Sequence, residues 1–436
     1  MNYYNLKDKK ETADFRTATI RGQGKDKGLF FPEHIPQFAP EWIESLHERS
    51  NEEIAFRCME DFVGNEIPPD LLRTIVSETL SFEIPLKKIS ESIYSLELFH
   101  GPTLAFKDVG AGFMSRCLSY FLKDQDRTVT VLVATSGDTG GAVAHGFYRI
   151  PGIHVVILYP KNKVSKVQEK QLTTLGENIT PLEVNGSFDD CQNLVKQAFA
   201  DREISSGLFL TSANSINPAR WLPQQIYYLL ALKQWRATEQ DLPVICVPSG
   251  NLGNICAGLL AYKRGLPAEH FIAACNANDS ISRYLKTRQM VPHATEATLS
   301  NAMDVGNPSN FVRISELFNN RFEKLKDILS GYTVDDETTL RTIRKIYAEH
   351  DYLLDPHSAV AYAALEEYLA ERPGKKGFIL GTAHPVKFPE AIEKAIHTGT
   401  AIPESLKSLM DKEKKSLEIQ PDFTELKRFL LNKINR

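Results

Sequence analysis

Much that would mark a chain of this size as a metalloprotein, a nucleic-acid binder or a nucleotide enzyme is missing from these 436 residues. Cys58, Cys117, Cys191, Cys246, Cys256 and Cys275 form no CxxC pair and share no ligand spacing with histidine. That excludes a disulfide frame and a zinc site; reduced, half-buried thiols and no metal are expected. Positive charge is not in surplus: 51 Lys and Arg against 55 Asp and Glu give a net charge of -4, so no nucleic-acid partner is expected. No long uncharged apolar run could span a bilayer, and Met1 to Asp8 lacks the apolar core of a secretion signal, so a cytoplasmic location without a membrane partner is expected. Neither GxGxxG nor a glycine loop ending in Gly-Lys-Ser/Thr occurs, which sets aside dinucleotide-binding oxidoreductases and P-loop enzymes. Solenoid repeats and low-complexity stretches are lacking too.

What is present is an ordinary globular composition, 42% hydrophobic and 24% charged, on a chain long enough for two or three domains. Residues 1–92 read as short mixed elements broken by Pro32, Pro36, Pro40, Pro68, Pro69 and Pro85, a supporting or lid-like N-terminal domain. From residue 93 onward strand-like and helix-like stretches alternate. Thr128 to Ala134 is apolar and β-branched; Ser136 to Gly141 reads as a turn and Ala142 to Tyr148 as a helix. Val155 to Leu158 is another strand. The unit repeats as strand Val244 to Val247, turn Pro248 to Gly253 and a helix from Asn254 to about Lys263, and Phe271 to Ala274 and Phe378 to Leu380 add strands. Continuous apolar strands followed by helices predict an α/β fold with parallel-rich twisted sheets flanked by helices. We expect a first lobe over 93–238, a second over 239–436, and the run Lys412 to Lys415 on a solvated helix face.

In such sheets ligands gather at the carboxyl ends of strands. Lys107 closes the run Leu98-Phe99-His100-Gly101-Pro102-Thr103-Leu104-Ala105-Phe106-Lys107, an apolar, turn-forming approach. Desolvation disfavours an ammonium there, and a free amine can attack a carbonyl and hold a Schiff base; the plainer reading is a stem laid over apolar surface. The turn Pro248 to Asn254 brings glycines and a helix N-terminus together, as in a phosphate cradle or an ordinary capping turn. Thr135 to Gly141 offers hydroxyls and N–H groups to an anion, or a helix N-cap at Asp138 or Thr139, and both uses can coexist. Gly381-Thr382-Ala383-His384-Pro385 adds one neutral hydroxyl. An amine in an apolar setting, a phosphate cradle without a nucleotide signature and a neutral hydroxyl together suit pyridoxal 5'-phosphate held as a Schiff base.

Six stretches, Leu96 to Asp108, Ala134 to Gly140, Ser212 to Asn217, Val247 to Asn254, Leu299 to Asp304 and Gly381 to Pro385, run in the order found in one family. With the Tyr-Asn-Leu-Lys start they cover nearly the whole chain, which resembles the threonine synthases, pyridoxal-phosphate enzymes of fold type II, in the bacterial and fungal branch with an extra N-terminal domain. The resemblance implies that Lys107 carries the cofactor, that Gly250, Asn251, Leu252, Gly253 and Asn254 hold its phosphate, and that Thr382 hydrogen-bonds the pyridine nitrogen without forcing its protonation. Relatives such as the cysteine synthases have Asn where this chain has Asp138. An ionised carboxylate there repels the cofactor's phenolate oxygen, so Asp138 turns away or is protonated, or Asn214 or Asn217 takes over the donor role.

The implied activity is conversion of O-phospho-L-homoserine and water to L-threonine and phosphate by γ-elimination and β-addition of water, the last step of threonine biosynthesis. Lys107 would serve as the base for several proton transfers. Thr135, Ser136 and Thr139 would grip one anionic end of the substrate, and Asn217 and Arg220 another. The alternatives are a serine or threonine dehydratase or a cysteine synthase of the same fold, or a threonine-synthase-like phospholyase or phosphatase-like protein. A small-molecule partner is expected, and a monomer or homodimer.

Overall fold

The computed structural model describes residues 1–123 and 128–433. Strands β1 (Asn2–Asn5), β2 (Thr12–Asp14) and β3 (Phe30–Pro32) form a three-stranded antiparallel sheet in the order β2-β1-β3. Strands this short bury little on their own. They are held because Tyr3, Phe15, Phe30 and Phe31 sink into the same apolar core as the rest of the molecule. Of the four α-helices in this region, two are longer than the others. Asn51–Val63 is capped by the Ser50 side chain and turns Ile54, Cys58 and Phe62 inward at helical spacing, and Pro69–Thr79 opens on a proline, whose missing N–H costs nothing there.

Then follow β4 (Leu86–Lys88), β5 (Ile93–Glu97), β6 (Val129–Ala134), β7 (Ile153–Pro160), β8 (Ile179–Val184), β9 (Phe209–Thr211), β10 (Val244–Pro248), β11 (His270–Cys275), β12 (Leu329–Thr333), β13 (Gly377–Gly381) and β14 (Leu417–Ile419). They build a six-stranded sheet, β12-β11-β10-β13-β5-β4, parallel except for β4, and a five-stranded parallel sheet, β14-β8-β7-β6-β9. Every residue of β6, β10, β11 and β13 is buried, as strands covered by helices on both faces require. The α/β class read from the sequence is the one observed.

Several expectations need correction. The helix expected from Ala142 begins at Asp138 and runs to Gly146, with Gly137 at φ 137° as its cap position. The hydroxyl of Thr135, not Asp138 or Thr139, accepts the orphan amides, from Gly137 and Gly140 at 2.9 Å each. Gly140 reads as a turn residue but is needed inside the helix, since a Cβ there would lie 2.4 Å from Thr135 Cγ2. Lys412 to Lys415 is not helical: it links the helix Glu404–Met410 to β14, and Lys414 pairs with Glu169 and Glu183 at 2.7 Å each. The sheets also exchange chain across residue 238: β5 belongs with the later strands, and β14 returns to the earlier ones. All six cysteines are buried free thiols rather than half-buried ones. Among the described residues, no helix is long and apolar enough to cross a membrane.

Candidate active site

Lys107 is placed by a contact invisible in local sequence. Ala105 bridges Ala383, the Phe106 N–H donates to the Thr382 carbonyl at 2.9 Å, and the His384 N–H donates to the Leu104 carbonyl at 3.1 Å. The first turn of the helix Lys107–Leu122 therefore lies against the end of β13, beside Thr382. Tyr227 donates its hydroxyl to the Phe106 carbonyl at 2.5 Å, and Leu104 takes φ 57° to make the turn. Upstream, Asp108 accepts both the N–H and the hydroxyl of Thr103. Gly101 has to be glycine here, because a Cβ would stand 2.5 Å from Asp108 Oδ2.

A cavity of about 890 Å³ opens in front of Lys107, walled by the turn at Thr135, Ser136, Asp138 and Thr139, by Arg220, by Thr382 and by the loop 250–254. That loop fits a phosphate on three counts. Leu252 sits in the left-handed region at φ 60°, and no side chain caps the helix Gly253–Lys263 that follows, leaving its first amides for a ligand. The Asn254 side chain accepts from Tyr228 at 2.8 Å, while its own amide nitrogen is buried without a partner. Gly250 lies so close to the neighbouring segment that a Cβ would fall 2.6 Å from Met303 Cα. Asn251 anchors the loop, donating to Ser215 Oγ at 3.0 Å and accepting from Asn310 at its carbonyl at 3.0 Å.

Charge in the cavity is concentrated around Asp138. Its Oδ1 meets Lys387 Nζ at 2.7 Å and accepts from Gln168 Nε2 at 3.0 Å, and its Oδ2 faces Lys107 Nζ at 3.8 Å. Burial pushes the Asp138 pKa up, but Lys387 and Lys107 outweigh it and hold the carboxyl well below the usual range. Asp138 thus has one oxygen on Lys387 and the other toward Lys107. For Lys107 burial dominates and lowers the pKa; Asp138 raises it, and Lys387 and Arg220 lower it again. Arg220, only 4% exposed, has a guanidinium lowered to about 10 by burial. It donates to the Ala213 carbonyl, leaving Nε unpartnered.

Asn217 does not belong with these groups. Fully buried, it donates to the Thr19 carbonyl at 2.8 Å and accepts from the Ala219 N–H at 3.0 Å as the N-cap of the short helix Pro218–Trp221. A side chain so employed has nothing left for a substrate, whereas Asn214 does line the cavity.

Residues 79–380 match the family described as pyridoxal-phosphate dependent enzyme, 2–80 match the threonine synthase N terminus and 358–430 the threonine synthase C-terminal region. The threonine synthase of Escherichia coli K12 is 45% identical over 433 residues, covering 99% of this chain and all of that one. The chain belongs to the threonine synthase family. In the same fold, the crystal structure of the E. coli threonine synthase superposes with a TM-score of 0.92, over 99% of this chain and 100% of that one. A pyridoxal-phosphate-bound threonine synthase from Brucella melitensis superposes with 0.91 at 33% identity, over 99% of each chain. A tomato threonine deaminase, at 16% identity and a TM-score of 0.55 over 76% of this chain and 94% of that one, shares the fold alone.

Several residues at the site escaped the sequence reading. Lys387 lies five positions after Thr382, and nothing in its apolar surroundings marks it as buried and charged. Gln168 is the capping-box residue of the helix Lys166–Thr173 and shows only that role in the sequence. Asn301, Met303, Asp304 and His357 line the same cavity. The first three fall in the family stretch Leu299 to Asp304, a signal that could have placed them.

Proposed function

We propose that this cavity converts O-phospho-L-homoserine and water to L-threonine and phosphate. The observation that carries the reading is the convergence of Lys107, the loop 250–254 and Thr382 on one cavity, in a chain of the threonine synthase family. Pyridoxal phosphate, when bound, supplies an electron sink that makes the Cα and then the Cβ protons of an attached amino acid acidic enough to remove. The chain's own groups do the rest. Lys107 would hold the cofactor through its amine and, with that amine free, would be the desolvated base placed to take and return the Cα proton. The amides of Gly250 to Asn254 and the free Asn254 side chain would hold the cofactor phosphate, and Thr382 would offer the pyridine nitrogen a neutral hydroxyl. Ser136 and Thr139, with Thr135 behind them, take one anionic end of the substrate at the head of their helix, and Arg220 takes the other. In net terms the Cβ proton ends on Cγ, the hydroxyl of water on Cβ, and the proton of water on the departing phosphate. Residues 1–92 serve as a supporting domain, and the enzyme works in the cytoplasm as a monomer or homodimer.

The test is incubation of the loaded protein with O-phosphohomoserine, assaying threonine and phosphate together. Equal amounts of both are expected. Phosphate without threonine would indicate a phosphatase-like protein, and release of a keto acid a dehydratase. Borohydride reduction and peptide mapping should place the cofactor on Lys107, and Lys107→Ala should lose the covalent link.

A further inference from the structure

Lys387 plays no part in that reading, yet it is wholly enclosed beside the cofactor lysine, with a side chain 0% exposed. It ends the short turn Pro385–Lys387, and its ammonium donates to the Thr103 carbonyl and to Asp138 Oδ1, each at 2.7 Å. The other oxygen of Asp138 faces Lys107 at 3.8 Å. A buried lysine and a half-buried one thus share one buried carboxylate, and unequally: Lys387 is at the distance of a direct charge-assisted hydrogen bond, and Lys107 is not.

We propose that Lys387 is a positioning residue that acts on Lys107 through Asp138, taking up the carboxylate so that Lys107 has no counter-ion of its own and is the amine of the pair that stays uncharged. The inference rests on the reading of Lys107 as the cofactor-bearing lysine. Its physical basis is the cost of charge in a low-dielectric interior. Two ammonium groups and one carboxylate leave an uncompensated positive charge, and the ammonium with the weaker contact gives up its proton. The neighbouring carboxylates cannot substitute for Asp138. Asp108, on the helix of Lys107 itself, is taken by both donors of Thr103, and Asp355, heading the helix Pro356–Ala370, is taken by His357 and Ser358. The remaining charged or titratable groups facing the pair are Arg220, a further cation near Lys107, and His384, near Lys387. Arg220 opposes a second ammonium, and His384, its pKa lowered by burial, offers no compensating negative charge. The lowered pKa of Lys107 agrees with this arrangement.

The experiment is a pH titration of the visible absorbance of the lysine–cofactor link in full-length protein loaded with pyridoxal phosphate, with thermal melting alongside. Lys387→Met and Lys387→Gln remove the charge, Lys387→Gln keeping a donor for Thr103 and Asp138 should Lys387→Met not fold. Each frees Asp138 to pair with the nitrogen of Lys107, so the midpoint should rise by about one pH unit or more. Lys387→Arg keeps the charge and should stay within a few tenths of a unit of wild type. A merely structural Lys387 would lower melting in both neutral variants and leave the midpoint in place, which would overturn the proposal. A link formed on another lysine, or none at all, would reject the reading of Lys107 and this proposal with it. A link on Lys107 whose midpoint ignores the charge at position 387 rejects this proposal alone.

Discussion

At Gly250 a single hydrogen atom decides whether the cradle can exist. A methyl group would fall 2.6 Å from Met303 Cα, which is backbone and cannot rotate aside; at Gly253 it would meet Ser215 Cβ at 3.2 Å, a contact that a shift of a few tenths of an ångström relieves. Gly250→Ala should therefore weaken cofactor retention tenfold or more, about 1.4 kcal/mol, while Gly253→Ala stays within a few-fold, as read by titrating cofactor into each variant. His270 carries a different residue-scale consequence. It is 9% exposed, bonded to Ser330 Oγ at 2.7 Å and stacked on Tyr368. Burial, then the Arg372 charge, lowers its pKa to about 4. A basic group depressed in the folded state favours unfolding when protonated. Its contribution is fully present above the unfolded value near about 6.5 and is lost as pH falls toward 4, by about 3 kcal/mol in all. Denaturation midpoints measured from pH 7 to 4 should fall less steeply in His270→Gln than in wild type.

An element can serve a ligand only if something holds its end in place. The helix Gly253–Lys263 presents its amides to the cavity, and Tyr228, from the helix Gln225–Trp235, backs it with one hydroxyl shared between the Asn254 carbonyl at 2.9 Å and its side-chain oxygen at 2.8 Å. Close approach of the two helices depends on Gly258, where a Cβ would come within 2.5 Å of the Tyr228 ring. Tyr228→Phe keeps the packing and removes only that hydroxyl. Stability should drop by about 1 kcal/mol, and cofactor should bind several-fold more weakly because Asn254 is no longer fixed. Gly258→Ala should do more harm on both counts, since it pushes the helices apart. A denaturant midpoint and a cofactor titration on each variant separate the two effects.

Across the whole molecule, Arg313 joins the N-terminal sheet to the site. Buried and seated 4.4 Å over the Trp221 ring, it donates to the Phe30 carbonyl in β3 at 3.0 Å, to the Ile216 carbonyl at 2.7 Å and to Asn310 Oδ1 at 2.8 Å. Asn310 in turn donates to the Asn251 carbonyl in the loop 250–254 at 3.0 Å. A lysine ammonium cannot reproduce a planar fork that reaches three places at once. Arg313→Lys should therefore lose about 3 kcal/mol or more of stability, open the first 90 residues to limited proteolysis and weaken cofactor binding together. Proteolysis without weaker binding would show that the N-terminal sheet merely covers the site.

Periodicity and composition by themselves determined the α/β class and the buried strands β6, β7, β10, β11 and β13, because a strand covered on both faces must be apolar along its length whatever it packs against. Lys107 and the loop 250–254 stood out as candidates for a related reason, since an amine in an apolar approach and a glycine-rich helix entrance show in a few adjacent residues; Thr382 was marked by the family resemblance, and all three line one cavity. Only the tertiary structure decided which groups meet. The bridge from Ala105 to Ala383 spans most of the chain, and Asp138 is joined from separate elements by an ion pair with Lys387 and a hydrogen bond from Gln168. It also withdrew Asn217, whose amide is fully spent on a helix cap and a distant carbonyl, and moved a helix start to Asp138, because the hydroxyl of Thr135 rather than a later side chain takes the first amides. Hydrogen-bond partners and counter-ions are properties of neighbours in space, and a linear pattern of residue types leaves that pairing undetermined until the chain has folded.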